Sequence, residues 1–347
     1  MFGRLMRKHL CAMLVFLFLI SASLESAIFT SAYIQKNILN NGGIIFRNSI
    51  KHEEIIEKGF RCVGRNNFSR LLKWFCTQPM IKFATYVFNT LNVKFVDGSY
   101  ILIIESCKLL NISHCYKTSS RASISSFADG NRNALLLNPF EHVYGRWYCR
   151  EISKDLQHRG YNVVYKGDNE VNLSLVRYNL CVDILYMDTH AGCWDIDGDG
   201  ILDEIVVSIG ETWDDDTGEK YHFEYENKMI VEVKIGDEYF VAFTPGLIRY
   251  YYQHCFLPNS LVYIAACYAA YDRSMADSFL DAGAKTYMGW SRETVFWTNS
   301  MVSVIAFRLL YKGFTVKRVC ELIGYGGLFN VLFKSKLVFY GDGNLKI

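Results

Sequence analysis

Two short apolar runs, each ending on a chemically reactive side chain, constrain the fold of this chain more than any other feature. The run Val182 to Met187 leads through Asp188 and Thr189 into His190, and the run Leu261 to Ala266 leads into Cys267. Short apolar runs of this kind are typical of strands that are buried in a parallel sheet. Because catalytic groups gather outside the carboxyl ends of such strands, His190 and Cys267 are predicted to meet at one edge of an α/β sheet.

The segments around these runs also favour a mostly parallel sheet flanked by helices. Ala134 to Leu137 and Tyr161 to Tyr165 predict strands, and Glu141 to Arg159 between them has apolar residues at helical spacing. Strands that alternate with helices predict an α/β domain with right-handed crossovers. Between Glu204 and Phe243 the pattern changes to an antiparallel insertion, with strands expected at Ile205 to Ile209, Tyr221 to Tyr225, Met229 to Ile235 and Tyr239 to Phe243.

Residues 1–27 have the three parts of a secretory signal peptide. Basic residues precede an apolar run of eleven residues, Leu10 to Ile20, and small residues follow it. A bilayer span needs about 20 apolar residues, so cleavage and export to a secreted or cell-surface location are expected. The alternatives are an uncleaved anchor or a first core helix, and contact with a membrane is expected only if the segment stays uncleaved.

Residues 28–130 carry no chemical motif and are interpreted as an accessory domain or a pro-region. Phe68 to Leu91 is expected to be helical, Tyr100 to Glu105 is expected to be a strand, and the polar stretch 119–133 is expected to be a linker before a catalytic domain at residues 131–347. The chain is 51% apolar with a formal net charge of +2, which suits a buried core and gives no basis for a nucleic-acid partner.

A cysteine and a histidine at neighbouring strand ends suit nucleophilic catalysis. A thiol attacks as its thiolate, and an imidazole can take up its proton and deliver it to a leaving group. The backbone N–H groups of Cys267 and of Ala191 or Gly192 would stabilise the oxyanion. Taken singly, a cysteine at a strand end is more often a small buried apolar residue. Asp188 and Trp290 are candidates for a substrate pocket, although ordinary packing is slightly favoured for both.

Three segments carry a resemblance to a known family: ILYMDTHAG, NALLLNPFEHVYGRWYCREI and LVYIAACYAAYDRSMADSFLDAGAKTYMGW. Over Asn133 to Ile323 the chain resembles the caspase-hemoglobinase fold of the clan CD cysteine peptidases, and most of all the gingipain and clostripain branch. The resemblance implies that His190 is the catalytic histidine and Cys267 the nucleophile. The His-Gly pair of the family is interrupted here by Ala191.

An acidic loop follows the histidine closely and has the spacing of a calcium site. Its side chains Asp195, Asp197, Asp199 and Asp203, with the carbonyl of Ile201, can surround one hard cation, and glycines permit the tight turn. The twelfth position is Val206, so the loop lacks the bidentate glutamate of an EF-hand and resembles the shorter loops of dockerin-like and thrombospondin-like repeats. A structural Ca²⁺ is therefore expected, and a solvated acidic turn is the alternative.

Together these features predict an exported cysteine endopeptidase that acts on polypeptides and is stabilised by calcium. One alternative is a catalytically inactive, caspase-like, calcium-binding interaction module. A second alternative is a surface protein held together by disulfides, in which Cys267 would itself be oxidised.

Overall fold

The structure is a computed structural model. It describes residues 44–45, 50–64, 67–96, 100–104, 132–214, 217–235, 238–253, 255–256 and 259–347. The expected signal peptide and most of the expected linker lie outside these residues. From Gly42 onward the chain belongs to one compact unit. In the described part of the chain, no helix combines the length and the apolar composition that a bilayer span requires.

The strands and helices are numbered in chain order. The strands are β1 (Ile44–Ile45), β2 (Ile81–Val87), β3 (Thr90–Phe95), β4 (Tyr100–Ile104), β5 (Asn133–Asn138), β6 (Asn162–Gly167), β7 (Ile184–Asp188), β8 (Ala191–Trp194), β9 (Glu204–Thr212), β10 (Ile230–Ile235), β11 (Glu238–Phe243), β12 (Leu261–Ala265), β13 (Thr286–Trp290) and β14 (Leu337–Gly341). The helices are α1 (Ile50–Val63), α2 (Phe68–Phe75), α3 (Glu141–Tyr144), α4 (Trp147–His158), α5 (Leu173–Tyr178), α6 (Thr217–Lys220), α7 (His222–Glu226), α8 (Pro245–Tyr251), α9 (Ser274–Asp281), α10 (Phe296–Tyr311), α11 (Val316–Ile323) and α12 (Leu328–Leu332).

The central sheet has six strands in the order β14-β13-β12-β7-β5-β6, and all of its pairings are parallel except that of β14 with β13. Side chains alternate between its two faces, as Val262 and Ile264 show on one face and Leu261 and Tyr263 on the other. Helices α4, α10 and α11 cover the second face, and α5, α8 and α9 cover the first. The expected α/β architecture with a mostly parallel sheet is confirmed.

The antiparallel insertion is present, but it is built differently from the expectation. Its order is β10-β11-β9-β8. The expected strand Tyr221 to Tyr225 is wrong, because Tyr221 is the N-cap residue of α7 and the residues after it lie in that helix. Tyr221 and Tyr225 both contact the core, four residues apart, whereas Phe223 between them is 48% exposed. Buried residues four apart lie on one face of a helix. Because an aromatic residue also occurs at every second position here, the sequence pattern resembles that of a strand.

The other two corrections concern the ends of helices. The expected helix Glu141 to Arg159 is divided at Gly145, where a φ of 71° ends α3. The expected helix Phe68 to Leu91 ends after Phe75, because a turn that contains Pro79 leads into the hairpin of β2 and β3.

The accessory region packs directly on the insertion. Its sheet, in the order β1-β4-β3-β2, buries Leu91, Val93 and Ile103 in one apolar cluster with Trp194 and Val233 of the insertion. Two hydrogen bonds also link β3 to β8: the Cys193 N–H donates to Thr90 Oγ1 at 3.0 Å, and the Asn92 side chain donates to the Cys193 carbonyl at 3.4 Å. The division of the chain at residue 130 stays a prediction, but the regions on either side of it share a core.

This shared core can be tested at Gly192, where a Cβ atom would overlap the Ile104 side chain of the accessory sheet. We expect Gly192→Ala to lower the free energy of unfolding by about 1–3 kcal/mol through overpacking. Ile104→Val removes the overlapping methyl group and should recover part of that loss in the double variant, as measured by urea unfolding. Gly218→Ala, which meets only an ordinary contact, is the control. Additive losses at Gly192 and Ile104 would contradict the packing.

Candidate active site

His190 lies where the chain leaves the central sheet. Strand β7 ends at Asp188, and β8, which begins at Ala191, belongs to the insertion sheet. The Thr189 N–H donates to the Ala265 carbonyl (3.4 Å), and the His190 carbonyl accepts from the Ser208 N–H (2.9 Å). The backbone of His190 is therefore held between two sheets.

Cys267 lies at the equivalent position of the neighbouring strand. Ala265 pairs with Asp188 in the parallel register of β12 and β7, so Cys267 and His190 each follow a paired residue by two positions. Adjacent strands lie about 4.8 Å apart, which brings the two residues to the same edge of the sheet. Both residues are described, and no hydrogen bond joins their side chains.

Aromatic side chains surround the His190 imidazole. Phe140 contacts it edge-on at 4.9 Å between ring centroids, and the Tyr144 hydroxyl is hydrogen-bonded to Nε2 at 2.8 Å. Tyr144 in turn stacks on Phe296, with centroids 4.0 Å apart. Burial lowers the pKa of His190 to about 4, so the imidazole is neutral at pH 7.

The Cys267 thiol is free and is held by the backbone of Thr294. The Thr294 N–H donates to Sγ, and the thiol donates to the Thr294 carbonyl, both at 3.4 Å. Burial raises the pKa of Cys267 to about 12 despite the opposing effect of the Thr294 N–H. The candidate dyad is therefore a neutral thiol beside a neutral imidazole.

The strand pairing distinguishes between the two expected oxyanion donors that follow His190. Gly192 lies opposite Val206 in the ladder of β8 and β9. The Ser208 N–H donates to the His190 carbonyl in the same register, and hydrogen-bonded positions alternate along an antiparallel ladder. The Gly192 N–H therefore points towards β9, and the Ala191 N–H points away from it. Of these two N–H groups, that of Ala191 is the one that takes no part in the hydrogen bonding between β8 and β9.

Asp188 and Trp290 are buried in a hydrogen-bonded network. The Asn299 side chain donates to Asp188 Oδ1 (2.8 Å) and to the Ala265 carbonyl (2.9 Å), and it accepts from Trp290 Nε1 (2.6 Å). Asp188 is 3% exposed and Trp290 is fully buried, so both act in packing between strand ends. Burial raises the pKa of Asp188 to about 8.

The acidic loop brings three of the expected calcium ligands together. Carboxylate oxygens of Asp195, Asp197 and Asp203 lie within 4.8 Å of one another. Asp199 is outside this group, and its Oδ1 accepts from the Ile201 N–H at 2.7 Å. The three carboxylates would suit a hard divalent cation through their oxygen atoms.

The accessory sheet holds this loop and also reaches the segment after Cys267. Thr85 Oγ1 donates to Asp195 Oδ2, and Asn92 Oδ1 accepts from the Asp195 N–H at 3.0 Å. At the β2–β3 turn, the Phe88 ring lies 5.3 Å from that of Tyr268 and 4.3 Å from that of Tyr271. The accessory region therefore touches both parts of the candidate site.

Several residues of the site were not identified from the sequence. Tyr144, Thr294 and Asn299 contact His190, Cys267 and Asp188 from segments that are remote in the chain. The sequences around them are typical of ordinary helices and loops, so the spacing of residues does not identify them as part of a site. Tyr144 has a partial signal, since Gly145 next to it could have marked a helix end.

The state of the thiol can be tested by its alkylation rate. Because burial raises the pKa of Cys267 to about 12, we expect its reaction with iodoacetamide to rise about tenfold per pH unit from pH 7 to pH 10 without a plateau. Mass spectrometry of the Cys267 peptide measures the rate. The urea-unfolded chain is the control and should plateau above about pH 9. A plateau at pH 8 or below in the folded protein would contradict the expectation.

No protein-family model matches this chain, and no curated protein matches it significantly.

Proposed function

We propose that this protein is an exported cysteine endopeptidase whose Cys267 and His190 form a catalytic dyad. The register of β7 and β12 carries the proposal, because Cys267 and His190, a thiol and an imidazole, follow neighbouring strands at equivalent positions. The caspase-like fold is part of the same proposal, supported by the strand order and by the insertion between the two residues.

The proposed reaction begins with the neutral pair. The Cys267 proton moves to His190 as the sulfur attacks the peptide carbonyl carbon, and the carbonyl electron pair moves to oxygen. The N–H groups of Ala191 and Cys267 would donate to that oxyanion. The C–N bond then breaks as His190 returns the proton to the leaving amine. Water, deprotonated by His190, hydrolyses the thioester and releases the acid and the thiol.

The acidic loop has a structural role in this proposal. A Ca²⁺ ion held by Asp195, Asp197 and Asp203 would brace the segment that follows β8, in a secreted or cell-surface setting. Calcium is a weak Lewis acid, so no catalytic step is assigned to it.

The inactive calcium-binding module is the second candidate, and two observations favour it. The thiol is hydrogen-bonded to Thr294 rather than to His190, and the pKa values of the pair disfavour a thiolate at rest. The disulfide-held surface protein has less support, because Cys267 is a free thiol.

Replacement of the nucleophile separates these candidates. We expect Cys267→Ala to lower kcat/KM on an unstructured polypeptide substrate by at least about 10³-fold and to abolish labelling by a peptide-based thiol electrophile. Cys76→Ala removes an exposed free thiol and is the control. Equal hydrolysis by both variants would refute the peptidase, and no hydrolysis by the wild type would favour the inactive module.

Calcium binding is tested by thermal unfolding. A few millimolar Ca²⁺ should stabilise the wild type by about 1–2 kcal/mol if the affinity is that of extracellular calcium modules. The variant Asp197→Asn/Asp203→Asn should lose this shift because it removes two of the three clustered carboxylates. Asp281→Asn, at an exposed helical position, should keep it. The same shift in all three proteins would contradict a site in the loop.

A further inference from the structure

The contact between Tyr144 and His190 decides which imidazole nitrogen can exchange a proton with the thiol. An imidazole has two nitrogen atoms, and Nε2 is engaged by the Tyr144 hydroxyl at 2.8 Å. Among the described residues, Nδ1 has no hydrogen-bond partner, and it is not among the buried polar atoms closed off from solvent. Nδ1 is therefore the nitrogen that remains for Cys267 and for the leaving group.

The tautomer then follows from the chemistry of the base. A neutral imidazole accepts a proton only at the nitrogen that carries none. If Nδ1 is to accept the thiol proton, the resting proton of His190 must be on Nε2, and Nε2–H must donate to the Tyr144 oxygen. The imidazolium that follows carries a proton on both nitrogens, so the same oxygen accepts from it throughout the reaction.

The position of Tyr144 is fixed by packing as well as by this hydrogen bond. It is the last residue of α3, before the turn at Gly145, whose carbonyl accepts from the Asn138 side chain at 2.8 Å. Its ring stacks on Phe296 at the start of α10, with an interplanar angle of 17°. The hydroxyl is thus held at His190 by α3 and α10, and not by the strands on either side of the histidine.

We propose that Tyr144 is a positioning residue that holds His190 in its Nε2–H tautomer and directs Nδ1 to the Cys267 thiol. This inference rests on the proposed function, because the tautomer is argued from the transfer of the thiol proton to Nδ1, but the tautomer is measured on the folded protein without any substrate. A tyrosine differs here from the carboxylate of a serine-protease triad, because its hydroxyl is neutral and stabilises the imidazolium less.

The test uses Tyr144→Phe in the full chain, which keeps the ring on Phe296 and removes only the hydroxyl. Long-range ¹H–¹⁵N spectra of ¹⁵N-histidine-labelled protein report the tautomer, and the His190→Gln spectrum assigns the signal among the eight histidines. We expect the Nε2–H pattern in the wild type and a mixture of tautomers in Tyr144→Phe. In the same variant kcat should fall about 10- to 100-fold while KM changes less than about twofold.

Tyr165→Phe is the matched control. Its hydroxyl donates to Glu141 at 2.9 Å, in the same short helix as Tyr144, so it reports any effect of moving that helix. It should keep the wild-type tautomer and kcat. An Nδ1–H tautomer in the wild type, or an unchanged tautomer in Tyr144→Phe, would overturn the proposal. If the wild type hydrolyses no peptide but shows the expected tautomers, the peptidase fails and the role of Tyr144 in orienting His190 stands.

Discussion

The structure depends above all on the parallel pairing of β7 with β12, which ends with Asp188 opposite Ala265. Both strands are interior strands, since β5 and β13 flank them, and both are buried on their two faces. A slip by one residue would turn every side chain to the opposite face, so packing on both sides fixes the register. His190 and Cys267 owe their proximity to this constraint rather than to a direct contact.

The burial that fixes the register also determines the chemistry of the site. It lowers the pKa of His190 and raises that of Cys267, so both side chains rest in their neutral forms. In the proposed reaction, charge would then have to develop in buried surroundings. The Tyr144 hydroxyl and the backbone N–H groups at the strand ends would carry most of its stabilisation. Asn299 contributes differently, because it links the ends of three neighbouring strands.

The opposite end of the same two strands is joined covalently. Cys181, shortly before β7, forms a disulfide with Cys255, which precedes β12. Disulfides persist in oxidising surroundings, and this one supports the proposed export of the protein. The accessory sheet constrains the other end through its contacts with the acidic loop and through Phe88. If this region were a pro-region that is removed during activation, its removal would expose an apolar cluster that it shares with the insertion.

The sequence by itself determined the α/β class, the antiparallel insertion and the placement of His190 and Cys267 at strand ends, because apolar runs and turn residues act locally. It did not determine that Tyr225 lies in a helix whose N-cap is Tyr221, since two aromatic residues four apart fit either structure until the core is known. It also gave no sign of Asn299 or Phe88, and for Tyr144 it gave only the neighbouring Gly145 as a possible helix end. Tertiary packing alone brought these residues to the site, because hydrogen bonds and ring contacts between remote segments leave no periodicity in the chain.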